Sequence, residues 1–220
     1  MSFYQITQTG RRADIHLFGS ITKYPWAPGS KSAATLVDEL KQLDADEIHL
    51  HIDSLGGSVS EAYGMYQTLL PHPAKVTTYA DGFVASAALY PFLAGDERIA
   101  TSTSAFYFHE AATYAEGYAE DLHKAADQVA LITDIGINAF VERTGQKREK
   151  IAQLMKDETW MTPEEALQMG LATSVMRAES GNAYTQDAFD SLIQAARAAK
   201  QQTPPPENRI KKFFAYERSK

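Results

Sequence analysis

Two strand-like runs of this chain are each followed, after a few small residues, by a helix-like run. Apolar residues alternate along residues 47–52, and the pair Gly56-Gly57 then leads into a helical pattern over residues 59–70. Residues 75–80 form a second strand-like run, and an apolar run over residues 89–93 follows it. Parallel strands need a crossover that a helix can supply, so this alternation predicts parallel βαβ units. The predicted fold class is therefore α/β.

The rest of the chain continues the same pattern. A first strand is predicted over residues 13–19, and a loop over residues 23–31 precedes a helix over residues 32–43. A longer helical pattern covers residues 117–143, and its broad apolar stripe suits core packing. The stripe consists of Leu122, Ala126, Val129, Ile132, Ile135 and Phe140. A further helix is expected over residues 147–156.

One serine lies among small residues directly after the second strand-like run. Residues 82–88 place Ser86 between two alanines, so a substrate backbone can approach its hydroxyl closely. At a strand-to-helix turn, the helix N-terminus offers unpaired N–H groups and a partial positive charge to a developing oxyanion. Small residues before a helix are also common in ordinary packing. Ser86 is therefore a candidate nucleophile, and this assignment depends on whether the chain also offers a base and an oxyanion donor.

The glycine pair Gly56-Gly57 is the second candidate element. Glycines at a strand-to-helix junction let backbone N–H groups face a ligand. Residues 53–62 lack the lysine and the spacing of a phosphate loop, and they lack the full dinucleotide-binding fingerprint. Close to Ser86, the pair would suit an oxyanion donor.

A histidine ends the aromatic, strand-like run over residues 105–110. Imidazole titrates close enough to neutrality to take and return a proton, which makes His109 the candidate general base. The other five histidines show no comparable setting. His49 and His51 alternate along one predicted strand, but no third ligand of suitable spacing follows them. No metal site and no cofactor are therefore predicted.

A short helix with clear start and stop signals follows two acidic residues. Thr162 with Glu165 three residues later forms a capping box, and Gly170 suits the end of the helix. Just upstream, in a segment expected to be extended, Asp157 and Glu158 each offer a carboxylate that could orient His109. Acidic residues before a helix are usually solvated, so the order of the four elements is what carries weight: Gly-Gly, serine, histidine, acid.

In this order the chain resembles the Clp protease proteolytic subunit (ClpP) superfamily of serine peptidases, which share the crotonase-like fold. The resemblance spans roughly residues 14–176 and rests on four motifs. These motifs are residues 53–59, 82–88, 106–109 and 160–171. The resemblance implies repeated βαβ units and a long helix over residues 117–143 that projects as a handle and pairs protomers.

The same resemblance implies a role for each candidate residue. Ser86 would be the nucleophile and His109 the general base, while the backbone N–H groups of Gly57 and Ala87 would form the oxyanion hole. Ungapped alignment from Trp160 places Glu158 at the acid position of the family, with Asp157 one residue away. A glutamate can hold the imidazole tautomer and stabilise the imidazolium, so the third residue stays open between these two acids.

Two departures from the family pattern accompany the glutamate. Leu55 replaces the proline that usually precedes the Gly-Gly pair, and no proline follows His109 in residues 110–112. The region before the first strand is also short for loops that engage an ATP-driven unfoldase. The chain is therefore more similar to the stand-alone, phage- or prophage-borne head-maturation enzymes that process capsid or scaffold proteins.

The function that the resemblance implies is serine endopeptidase activity in a homo-oligomeric ring of six or seven subunits, single or stacked. Expected partners are polypeptide substrates and a capsid or scaffold protein, and the use of an unfoldase is left open. Two alternatives stand beside this. A crotonase-type acyl-CoA enzyme would share the oxyanion architecture but normally needs acid/base carboxylates near the Gly-Gly loop. A catalytically impaired homologue would serve as a structural ring.

Composition limits the remaining classes. The 220 residues, 44% of them hydrophobic and 22% charged, suit one domain of intermediate size. No apolar stretch approaches the ~20 residues of a membrane-spanning helix, and the N-terminus lacks a signal-peptide pattern. The absence of cysteine fits the cytoplasm and a virion equally. A net charge of −7 argues against nucleic-acid binding by the body of the protein.

The last 40 residues differ in composition from the rest. We expect a peptidase domain over residues 1–180 and a separate C-terminal segment over residues 181–220. Residues 185–201 predict an amphipathic helix, and the prolines of residues 203–207 end it. Residues 209–220 are basic, with Glu217 as their one acidic residue, and suit a flexible tail or a docking or self-cleavage segment.

Overall fold

The structure is a computed structural model, and it describes residues 3–24 and 32–177. The predicted C-terminal helix over residues 185–201 and the basic residues 209–220 lie outside the described residues, as does most of the loop predicted over residues 23–31. The division into a peptidase domain and a C-terminal segment therefore stays a prediction.

Eight strands and six helices make up the described residues, and a short 3₁₀ turn over Ser86–Ala88 joins β4 to α3. The strands are β1 (Tyr4–Thr9), β2 (Arg12–Ile21), β3 (Glu47–Gly57), β4 (Lys75–Ala85), β5 (Glu97–Thr101), β6 (Ala105–Tyr107), β7 (Trp160–Met161) and β8 (Ser174–Met176). The helices are α1 (Ala33–Gln42), α2 (Val59–Leu69), α3 (Leu89–Leu93), α4 (Ala119–Thr144), α5 (Arg148–Lys156) and α6 (Pro163–Met169).

The strands form one sheet in the order β1-β2-β3-β4-β5-β8, and β6 pairs with both β4 and β7. Strands β2, β3, β4, β5 and β8 run parallel along this path. The prediction of an α/β fold built on parallel strand pairs is confirmed. Strand β1 was not predicted; it pairs antiparallel with β2 through a tight turn at Gly10, whose φ of +60° suits glycine.

The two faces of the sheet differ in polarity. Ile48, Leu50 and Ile52 of β3 are buried in a core that also contains Leu36 of α1 and Met65 of α2. The alternate residues of the same strand are partly or fully exposed. Because side chains alternate across a strand, helices cover the apolar face, and the other face, called here the outer face, carries polar and aromatic side chains.

Strands β3 and β4 extend further than their apolar alternation predicts. The predicted strands ended at Ile52 and Ala80, but β3 continues to Gly57 and β4 to Ala85. Their register shifts between Ile52 and Ser54, and the carboxylate of Asp53 accepts a hydrogen bond from the backbone N–H of Phe83 at 2.9 Å. The extra pairing brings the carboxyl ends of both strands to the same place.

Helix α4 is divided into an exposed and a buried part. Every buried residue in its 26 residues lies at or after Gly136, and these residues include Ile137 and Phe140. In the predicted apolar stripe, Ile132 and Ile135 remain 41% and 42% exposed. The first four turns of α4 therefore extend away from the core, as the projecting handle of the resemblance implies. None of the helices in the described ranges combines the length and apolar character that crossing a bilayer requires.

Candidate active site

Ser86 lies at the sharp turn between β4 and α3. Its φ of +57° is in the left-handed region, which a residue with a Cβ rarely adopts. Such backbone strain is concentrated at functional sites, where the surrounding structure holds it in place. The predicted position of Ser86 at a strand-to-helix turn is confirmed.

The Gly-Gly pair closes onto this turn. A Cβ on Gly56 would lie 2.7 Å from the carbonyl oxygen of Ala85 and 2.8 Å from Ser86 Cβ. A Cβ on Gly57 would clash with the carbonyl oxygen of Ile21, and Gly57 has a φ of +144°. Glycine is therefore required at both positions, since a side chain would push the end of β3 away from the serine turn or from β2.

His109 follows β6 by two residues and reaches the serine. The backbone N–H of the intervening Phe108 donates to the carbonyl oxygen of Thr159 at 2.8 Å, which fixes the segment after the strand. His109 Nε2 lies 2.6 Å from Ser86 Oγ. In the tautomer protonated at Nδ1, Nε2 accepts the serine proton, which is the geometry that a general base needs.

Four of the predicted site residues border one cavity of about 260 Å³: Gly57, Ser86, Ala87 and His109. The remaining walls are mainly apolar. They include Val59, Leu89, Phe108, Phe140 and Met155. The structure therefore brings the nucleophile, base and oxyanion candidates to the same cleft, beside a surface that can hold an uncharged side chain.

Tyr90 adds a polar group to this mainly apolar cleft. Burial raises the pKa of its hydroxyl to about 12, so the group is protonated at neutral pH and can donate a hydrogen bond. Its ring is packed tightly against α4, where a Cβ on Gly136 would clash with the Tyr90 hydroxyl oxygen. Tyr90 also borders a second, apolar cavity of about 190 Å³ that includes Ile132 and Ile135.

The two candidate acids do not lie in the extended segment that the sequence suggested. Asp157 ends α5, and its carboxylate accepts from Gln153 Nε2 at 2.8 Å, one turn back on the helix. Glu158 has a φ of +50°, so the chain turns sharply there. That expectation was wrong because the backbone N–H groups of Glu158 and Thr159 still bond to carbonyl oxygens of α5.

Tyr107 connects the neighbourhood of Glu158 to the histidine. Its ring stacks on His109 with centroids 5.4 Å apart and on Trp160, its partner across β6 and β7, at 4.5 Å. Burial raises the pKa of the Tyr107 hydroxyl, and the charge of Glu158 and a hydrogen bond to its carboxylate raise it further. Sequence reasoning assigned no role to Tyr107, because its contact with Trp160 depends on an antiparallel pairing over 50 residues apart.

The third member of a triad is not joined to the histidine in the described residues. Within the described residues, the His109 ring forms its hydrogen bond through Nε2, to Ser86 Oγ. Neither Asp157 nor Glu158 is among the residues that border the cleft in the described part of the chain. The assignment of Glu158, or of Asp157 in its place, stays a prediction.

Comparisons with known proteins identify the family of this chain. Residues 22–179 match the family described as Clp protease. An ATP-dependent Clp protease proteolytic subunit 1 from Prochlorococcus marinus (strain NATL2A) is 31% identical over 152 residues, which are 66% of this chain and 78% of that protein. The ATP-dependent Clp protease proteolytic subunit of Deinococcus radiodurans is 29% identical over 185 residues, which are 79% of this chain and 91% of that protein.

A solved structure gives the same result for the fold. A point mutant of ClpP1 from Listeria monocytogenes superimposes with a TM-score of 0.64 at 20% identity, over 74% of this chain and 91% of that one. This likeness defines the class of the protein as a ClpP-like α/β fold. The chain belongs to the Clp protease family, since the family match covers residues 22–179.

We expect Gly56→Ala to lower the free energy of unfolding by about 2 kcal/mol, because the new Cβ meets the backbone at Ala85 and requires a φ of +92°. Urea denaturation measures the change. Gly64→Ala in α2 is the matched control, since the nearest atom to its Cβ is Val37 Cγ2 at 3.8 Å. Alanine favours a helix interior by up to ~1 kcal/mol, so the control should be at least as stable as the wild type. Equal stability of the two variants would contradict the close approach.

Proposed function

We propose that this protein is a serine endopeptidase. The observation that carries the proposal is the 2.6 Å contact between Ser86 Oγ and His109 Nε2, at a strained turn that opens into a cleft. Nucleophilic catalysis by serine needs a base within hydrogen-bond reach of the hydroxyl. Membership of the Clp protease family supports the same chemistry.

The reaction follows from this geometry. Ser86 Oγ attacks the carbonyl carbon of a peptide bond while His109 Nε2 takes its proton. The carbonyl oxygen becomes an oxyanion, which the backbone N–H groups of Gly57 and Ala87 stabilise. When the intermediate collapses, the C–N bond breaks and His109 returns the proton to the leaving amine. Water then hydrolyses the acyl-enzyme by the reverse sequence of proton transfers.

Glu158 is our proposed acid, in preference to Asp157. Asp157 is held by Gln153 on its own helix, whereas the charge of Glu158 acts on Tyr107, whose ring lies against His109. A cation within ~6 Å of the centroid of an aromatic ring is attracted to its face. The Tyr107 ring therefore stabilises the imidazolium that forms when His109 takes the proton, and a hydrogen bond to a carboxylate makes that ring richer in electrons.

The proposed substrate is a polypeptide that places an uncharged side chain against the apolar walls of the cleft. The similar proteins are named as proteolytic subunits, which supports a polypeptide substrate. The resemblance to phage-borne processing enzymes further suggests a capsid or scaffold protein, which would place the reaction in the host cytoplasm or the virion. Unfolded polypeptides are the other substrate class that the resemblance supports.

We further propose that the protein assembles into a homo-oligomeric ring of six or seven subunits. The exposed isoleucines Ile132 and Ile135, with Leu131 beside them at 62% exposure, make α4 more apolar than a helix that faces solvent needs to be. A second copy would cover these side chains and remove them from water, which is favourable.

Ser86→Ala should abolish peptidase activity and labelling by a fluorophosphonate probe, with fold and assembly unchanged. Loss of the nucleophile of a triad costs several orders of magnitude in rate, and the oxyanion hole provides what catalysis remains. Ser60→Ala, an exposed serine of α2, is the matched control and should label like the wild type. A wild-type protein that neither labels nor cleaves would favour a structural ring or an acyl-CoA enzyme.

Glu158→Gln should lower kcat/KM by several-fold and up to about tenfold, because it removes the charge that strengthens a cation–π stabilisation worth ~1–2 kcal/mol. Asp157→Asn should stay within about twofold. Tyr107→Leu, which removes the ring, should lose at least as much, whereas Tyr107→Phe, which keeps the ring but lacks the hydroxyl that bonds to Glu158, should match Glu158→Gln. Steady-state kinetics on a fluorogenic peptide measures all four variants. A larger effect of Asp157→Asn than of Glu158→Gln would transfer the role to Asp157.

Glutamates in place of Ile132 and Ile135 should dissociate the assembly, because charges buried without partners at an interface are costly. Sedimentation velocity at micromolar concentration measures the change in mass from a multiple of 24.3 kDa towards a single chain. Gln128→Glu adds one such charge at an exposed position of α4 and should leave the assembly intact. A monomeric wild-type protein would rule out the ring.

A further inference from the structure

A row of aromatic rings crosses three adjacent strands on the outer face of the sheet. His16 of β2 is in register with His51 of β3, and His51 is in register with Tyr79 of β4. The rings of His16 and His51 stack with centroids 4.8 Å apart, and those of His51 and Tyr79 stack at 4.4 Å. Two imidazoles are thus held side by side on the face that the helices leave uncovered.

Asp81 joins these imidazoles from the end of the row. Its Oδ2 lies 2.8 Å from His51 Nδ1. One ligand atom from each of His16, His51 and Asp81 lies within 4.8 Å of the other two. The side chains of His51 and Asp81 are 22% and 36% exposed, so an ion can reach them from solvent. The group is polar, accessible and distinct from the Ser86 cleft.

We propose that His16, His51 and Asp81 bind a divalent transition-metal ion, and that Zn²⁺ is the ion that suits them best. Two imidazoles and one carboxylate are a donor set that zinc favours, and three protein ligands leave a fourth position for water. The proposed peptidase mechanism uses none of these side chains, so the metal site does not depend on it.

Binding requires a small movement of His16. The ligand atoms of a tetrahedral zinc ion lie about 3.3 Å apart, given metal–ligand distances of about 2.0–2.2 Å. The His16 nitrogen must therefore move up to ~1.5 Å closer to the other two ligand atoms. The rings of His16 and His51 are nearly parallel, with 19° between their planes, so the His16 ring must also tilt to direct its nitrogen at the same ion. Rotation of this half-buried side chain achieves both. The ion takes the place of the proton between His51 Nδ1 and Asp81, and solvent carries that proton to His51 Nε2, so the ligand stays a neutral imidazole.

From the sequence no metal site was predicted, because the pair His49 and His51 lacked a third ligand of suitable spacing. His49 and His51 alternate along β3, but His49 Nδ1 lies 2.9 Å from the hydroxyl oxygen of Tyr79. The second imidazole comes from β2 and the carboxylate from β4. The three ligands therefore become neighbours through strand register, which spacing along the chain does not show.

The proposed ion would join β2, β3 and β4 next to the register shift that precedes the active-site residues. Asp81 lies five residues before Ser86, and His51 lies five residues before Gly56. A ligand that binds the folded state alone raises the apparent stability as its concentration exceeds its dissociation constant. Zinc should therefore raise the thermal midpoint of the wild-type protein.

Isothermal titration of the untagged, metal-free full chain with zinc chloride tests the proposal, and Co²⁺ absorption reports the coordination geometry. We expect one ion per chain in the wild type. His16→Ala, His51→Ala and Asp81→Asn should each weaken binding by about 10- to 100-fold or more. Asp81→Asn nearly preserves the shape of the side chain, so it keeps the test decisive if a histidine variant does not fold.

Three matched variants separate this site from other histidines. His49→Ala, His109→Ala and the exposed His123→Ala should bind zinc like the wild type and show the same rise in thermal midpoint. A wild-type protein that binds no zinc overturns the proposal, and so does unchanged affinity in Asp81→Asn together with His16→Ala. Loss of binding in His109→Ala alone would place the ion in the catalytic cleft and equally overturn it.

Discussion

The parallel pairing of β3 with β4, continued past a shift in register, is the constraint on which the rest of the site depends. It brings Gly56 close enough to the turn after β4 that a single methyl group would meet backbone atoms. The same approach holds Ser86 in a left-handed conformation that would be unfavourable on its own. Burial of the apolar face of both strands provides the free energy that keeps this arrangement.

The histidine reaches the serine by a separate route. Strand β6 pairs with the extended end of β4 and, on its other side, with the two residues of β7. This places Tyr107 and Trp160 in contact and directs His109 back towards Ser86. The proposed general base is thus positioned by the segment that also contains Glu158, so the chain around residue 158 supports the geometry of the contact between Ser86 and His109.

Local signals in the sequence predicted much of this structure. The capping box of Thr162 with Glu165 forms with both of its hydrogen bonds, and α6 ends at Gly170 as expected. Long-range pairing explains what was not predicted. The direction of Glu158 depends on how α5 ends, and the group formed by His16 with its two partners depends on the register of three strands. Neither is visible in residue spacing.

The Tyr90 side chain separates two cavities. One side faces the cleft that contains Ser86, and the other faces the apolar cavity beside the exposed part of α4. The helix α4 and the Tyr90 ring lie so close together that residue 136 has no room for a side chain. A shift of α4 must therefore move this ring or open a gap behind it. Through that one side chain, a movement at the surface where copies of the protein would meet would reach the space where a substrate would lie.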